Sequence, residues 1–198
     1  MPWTSLITKK NSGTNSFTKT ANMFIPGFVI TLLTFPGVIV HELAHQLFCR
    51  YYKVPVFKVV YFQMGNPAGY VLHEAVKNKA QGIMISIGPF IVNTVIGAII
   101  SLPAALPIFK FHTGKPLDYL LIYLGVSIAM HAFPSRGDAN VIWNSIKEAG
   151  TPLWVKIIGY PVVGLIYAGS IGSFFWLDLL YGAGVAIGLP NLLIAMLA

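Results

Sequence analysis

The sequence predicts an all-α polytopic membrane protein: a three-helix core plus one or two C-terminal spans, with a small β-hairpin between spans one and two. Three observations predict it. Of the 198 residues, 56% are hydrophobic and only 10% are charged, whereas soluble domains carry charge at about a quarter of their positions. The mean hydropathy is +0.71. From Gln81 to Phe109, 29 residues pass without an Asp, Glu, Lys or Arg, and roughly 20 apolar helical residues cross a hydrocarbon layer about 30 Å thick.

The elements follow in chain order. Residues 1–22 form a polar N-terminal segment with Lys9, Lys10 and Lys19 ahead of an apolar run. It resembles a secretory signal superficially, but the apolar run continues too far for cleavage to be expected. The first span covers Met23 to Cys49, with a kink expected at Pro36. Residues 54–74 are rich in Val, Tyr and Phe around the turn signal Gly65-Asn66-Pro67, which reads as a hairpin. The second span runs from Gln81 to Ile108 and the third from Leu117 to Phe133, stopped by Pro134-Ser135-Arg136-Gly137. Apolar residues at 141, 142, 146 and 149 predict a short amphipathic helix over 138–149, lying at the membrane interface. Trp154 to Leu177 makes a fourth span, and the uncharged tail 179–198 a fifth.

The net charge of +7 does not point to nucleic acid, because the cations are scattered and form no basic stripe. With Met1 outside, Arg50, Lys53, Lys58, Lys77, Lys79, Arg136, Lys147 and Lys156 fall on one face, eight of the thirteen cations. That bias makes this face cytoplasmic and puts the ends of spans one and three on it. The single cysteine, Cys49, allows no internal disulfide and no paired-thiolate metal site. The expected location is integral and multi-pass, in the cell membrane of a prokaryote.

Near the end of span one stand His41-Glu42-Leu43-Ala44-His45. Histidines at i and i+4 share one helical face, so both imidazoles can reach one metal ion, and Glu42 beside them can act on water there. A glutamate between two histidines within an apolar helix costs about 2.5–3.5 kcal/mol at mid-bilayer and needs a partner. A catalytic zinc takes three protein ligands and leaves a fourth position open. Asp138 is the candidate third ligand, with helix N-cap as its other role. His131 competes for the same place, or orients Asp138.

These motifs resemble the site-2 protease family of intramembrane zinc metalloproteases. His41 to His45 matches its first motif, Gly88-Pro89-Phe90-Ile91-Val92-Asn93 its Gly-Pro-x-x-x-Asn, and Pro134-Ser135-Arg136-Gly137-Asp138 its Asn-Pro-x-x-Asp-Gly, with Phe133 in place of the Asn and Ala139 in place of the Gly. The resemblance covers roughly residues 36–141. It implies a zinc-dependent metalloendopeptidase with His41, His45 and Asp138 as ligands, Glu42 as general base and acid, and Asn93 supporting the site or the scissile carbonyl. Gly69, Tyr70 and the rest of the hairpin resemble the segment with which that family pairs an extended substrate. The partners implied are a membrane protein substrate and the lipid bilayer. On this reading 23–149 is the intramembrane metalloprotease core and 150–198 a C-terminal transmembrane region.

Two other readings compete. A prenyl-protein-protease type of enzyme would recruit Glu148 as third ligand. A transporter or metal-binding membrane protein would line a path with His41, His45 and His131 and need no general base.

Overall fold

Proline and hydroxyl side chains set the first helices. The computed structural model describes residues 27–172 and 176–197, so the polar segment 1–22 and the start of the first span lie outside the described residues. The expected kink in span one is a break. Helix α1 (Gly27–Leu33) ends at Thr34 and α2 (Phe35–Tyr51) starts anew with Pro36 in its first turn. That is where proline's missing N–H costs nothing. The carbonyls stranded at the break are met from helix α4 (Pro116–Met130). Tyr123 donates its hydroxyl to the Leu33 carbonyl at 2.5 Å, and Ser127 donates to the Thr34 carbonyl at 3.0 Å while accepting from the Gly37 N–H at 3.2 Å.

The hairpin is present. β1 (Val56–Val60) and β2 (Tyr70–His73) pair antiparallel, Val60 opposite Tyr70 and Val56 opposite His73. Tyr61 fastens the sheet to α2 by donating its hydroxyl to Gln46 at 2.5 Å. Helix α3 (Lys79–Ala105) follows, capped by Asn78 and prolonged by a π-helical turn, Leu106–Lys110.

Three contacts fix the direction of α2 against α4. Leu33 meets Tyr123, Gly37 meets Ser127 and His41 meets His131, an offset of 90 residues each time. A constant offset at four-residue steps means parallel helices, as the alternation of three successive spans implies. Between them α3 runs the other way, with Ile85 beside His45 and Asn93 beside Gly37. The helices approach closely because small residues line the seams. A Cβ on Gly37 would lie 2.0 Å from the Ser127 carbonyl oxygen, and one on Gly97 2.8 Å from that of Gly125.

Beyond α4 come α5 (Arg136–Lys147), α6 (Leu153–Gly172), α7 (Leu177–Ala183), a second π-helical turn, and α8 (Leu189–Leu197). The amphipathic α5 exists, but its apolar face is not laid open at an interface. Ala139, Ile142 and Ile146 are buried against Ile83, Val155, Val163 and Ile166, while Val141 stays exposed. The spacing 139, 142, 146 is the helical stripe, and α6 covers it.

Among the described residues two helices are long and apolar enough to cross a membrane, Lys79–Lys110 and Leu177–Met196. They correspond to the second and fifth expected spans. Pro116–Met130 and Leu153–Gly169 are apolar but shorter; the 15 residues of α4 reach about 22 Å at 1.5 Å per residue.

Candidate metal centre

The parallel pair brings His41, His45 and Asp138 together. One ligand atom from each lies within 4.8 Å of the other two, and His45 Nε2 stands 3.4 Å from Asp138 Oδ1. The two rings meet edge to face with centroids 4.9 Å apart, as neighbours one helical turn apart allow.

Each imidazole is oriented by a carbonyl from a different helix. His41 donates from Nδ1 to the His131 carbonyl at 2.7 Å, and His45 from Nδ1 to the Ile85 carbonyl at 3.0 Å. A carbonyl only accepts, so both rings carry their proton on Nδ1 and turn the Nε2 lone pair inward. This is the outer support that metal-ligating histidines usually have.

Asp138 combines a contact at the helix start with an oxygen that faces His45. The N-cap of α5 is Ser135, not Asp138, and Asp138 sits three residues on, closing a reciprocal capping box. Its Oδ2 accepts from the Ser135 N–H at 2.8 Å and from the Ser135 hydroxyl at 2.6 Å. Its Oδ1 faces His45. One oxygen locks the helix start and the other is left for the site.

His131 does not add its ring to the donor group. The Thr34 hydroxyl donates to the Ile30 carbonyl at 2.7 Å and accepts from His131 Nε2 at 2.8 Å. What His131 offers is its backbone carbonyl. Asn93, fully buried, donates from Nδ2 toward that carbonyl at 3.2 Å and toward those of Ile128 and Gly37 at 3.0 and 3.2 Å, joining α2, α3 and α4. Its Oδ1 is buried with no hydrogen-bond partner. In this arrangement Asn93 is enclosed among the helices. Glu148, the rival third ligand, is paired with Lys79 and stands outside the donor group.

Glu42 is buried beside the donors and lines two cavities, of about 730 and 750 Å³, that meet at His41 and Glu42. Gly69 makes room for it: a Cβ there would lie 2.7 Å from Glu42 Cγ. Tyr70, Val71 and His73 bring β2 to the second cavity. Among the described residues β2 pairs with β1 alone, which leaves its other edge without a strand partner there.

The donor set fits zinc. Two neutral imidazoles and a carboxylate are the ligand types of catalytic zinc sites, with a fourth position left to water or substrate. The two orienting carbonyls had no sequence signal, because backbone oxygens belong to every residue, whereas Asn93 had one in the Gly88-Pro89-x-x-x-Asn93 pattern although the carbonyls it joins did not. Ser135, three residues before Asp138, did have one in the capping-box spacing.

No curated protein and no solved structure matches the chain. A protein-family model, DUF3267, described as "Putative zincin peptidase", matches residues 34–149, the segment that carries both histidines, the hairpin and Asp138. The chain belongs to this zincin peptidase family, and its cofactor is zinc.

Proposed function

We propose that the protein is an intramembrane zinc metallopeptidase of the site-2 protease kind, hydrolysing peptide bonds of membrane-spanning proteins within or near the bilayer. The observation that carries this is the placement of the His41, His45 and Asp138 donors, with Glu42, in a bundle whose surrounding helices turn apolar side chains outward. Val95, Ile99 and Leu102 of α3, Ile157 and Leu165 of α6, and Leu192 and Met196 of α8 are all exposed. Large apolar surface facing out on successive long helices is costly in water and favourable in lipid. Residues 23–149 would then form the catalytic core and 150–198 a C-terminal membrane region of a multi-pass protein.

Zinc, when bound by His41, His45 and Asp138, polarises the scissile carbonyl and makes water a competent nucleophile near neutral pH. Glu42 takes the proton from the attacking water and returns it to the leaving amine. His131 and Ile85 keep the two rings in the ligating tautomer. The open edge of β2 supplies backbone donors and acceptors to a substrate that has left its helix and would otherwise lose them in a dry site.

Glu42→Gln tests the assignment. The variant should retain about one zinc per chain by metal analysis, while cleavage of a membrane-spanning reporter falls by roughly 10²–10⁴-fold or more. Undiminished cleavage would remove Glu42 as the base. Wild-type protein that binds zinc and cleaves nothing would favour a non-catalytic metal carrier.

A further inference from the structure

The two cavities that meet at Glu42 differ in what lines them. The second, along β2 and α5, carries His73, Arg136 and Asp138. The first, toward α1, is walled by Leu32, Val38, Phe62, Met64 and Phe133. Two of its polar residues are already engaged: Gln63 Nε2 donates to the Pro67 carbonyl, and the Ser135 hydroxyl donates to Asp138. The surface left to an incoming group is mainly hydrocarbon, and about 730 Å³ lies within the roughly 300–1,000 Å³ of small-molecule pockets.

Phe133 stands where the resembled motif has an amide, and the structure shows what the aromatic ring does. Its centroid lies 4.9 Å from Tyr181 and 5.9 Å from Phe90, and it lies against Gly169, so α3, α6 and α7 hold it rigidly as one wall. Phe62, tilted against Phe35 with centroids 5.7 Å apart, belongs to the same lining. Rigid aromatic walls beside a reacting centre select by shape and by apolar area.

Resting on the peptidase reading, we infer that the cavity between α1 and Phe133 receives the side chain of a bulky apolar residue adjoining the scissile bond. The substrate class narrows accordingly to membrane proteins whose unwound segment presents Leu, Phe or a similar residue at one position next to the cleaved bond. The second cavity receives the remainder of the extended chain along β2.

The test uses the full chain, zinc-loaded, in liposomes, with reporters whose two residues flanking the bond are set in turn to Leu, Phe, Gly, Asp and Lys. Initial rates are measured and products are mapped by mass spectrometry. Leu or Phe should exceed Gly and Asp by roughly 10-fold or more at one of the two positions. Phe133→Ala should shift that preference toward larger side chains. Met64→Lys, at a residue 72% exposed, should reverse the order of Leu and Asp at the same position, and it decides the matter alone if Phe133→Ala does not fold. Cleavage with no preference at either position, or an unchanged profile in Met64→Lys, overturns the subsite and leaves the peptidase reading standing. Cleavage of no reporter by zinc-loaded protein overturns both.

Discussion

The two histidines and the aspartate reach one point by opposite means. His41 and His45 are steered by carbonyls 90 and 40 residues away, at the C-terminal cap of α4 and on α3. Asp138 is steered by Ser135, three residues away on its own helix. The imidazole half of the site therefore depends on the packing of three helices, while the carboxylate half is built by one helix start. A disturbance of the bundle should disorganise the rings before the aspartate, and a disturbance of the cap should do the reverse.

The largest expected effect removes a ligand from the packed half. His45→Ala should lower bound zinc from about one per chain to near zero in metal analysis, since one imidazole and one carboxylate make an incomplete set. Asp138→Asn comes next. A neutral amide is a far poorer ligand, so zinc retention against a chelator should fall by more than about 100-fold. The circular-dichroism helix signal should stay near wild type, because an amide oxygen can still accept from the Ser135 N–H. If retention is unchanged, the carboxylate only caps.

Asn93→Ala strikes the long-range support without touching a ligand. Loss of an outer partner should weaken zinc binding about 10–100-fold, and the stranded buried carbonyls should lower stability by about 1–3 kcal/mol in thermal unfolding. Ser135→Ala should have the smallest effect, about 0.5–2 kcal/mol from the lost cap and a loss of zinc affinity below that of Asn93→Ala in the same chelator titration. If Ser135→Ala costs more affinity than Asn93→Ala, the local cap governs the site and the comparison is inverted.

The same division decides how much could be read from the chain. His41, Glu42 and His45 declare themselves because a four-residue spacing on a helix is a geometric statement. The hairpin does so through Val, Tyr and Phe around Gly65-Asn66-Pro67, and the parallel direction of α2 and α4 follows from the order of three successive apolar runs. The sequence pattern starts α5 at Asp138, whereas the structure starts it at Arg136 under a Ser135 cap, a start that the capping-box spacing of Ser135 and Asp138 also signals. Of the stripe expected at 141, 142, 146 and 149, the structure buries 142 and 146, adds 139 and leaves 141 and 149 exposed, because a pattern shows a helix's period but not the neighbour that will cover it. The break at Thr34 depends on hydroxyls of Tyr123 and Ser127, about 90 residues distant. The enclosure of Asn93 and the carbonyl partners of the rings depend on which helices touch, and no local pattern encodes that.

The 90-residue offset between α2 and α4 also sets an order in time. Neighbouring helices joined by a short loop run antiparallel, so a parallel pair requires the chain to travel away and return, here through the hairpin and α3. At about 5–20 residues per second of synthesis, the carbonyl that orients His41 is made roughly 5–20 s after His41 itself, and Asp138 later still. Until then the nascent chain displays His41 without its orienting carbonyl and lacks the Asp138 carboxylate. Metal capture is thus deferred until three helices have met, and a ribosome-bound chain ending before residue 138 should carry no tightly held zinc.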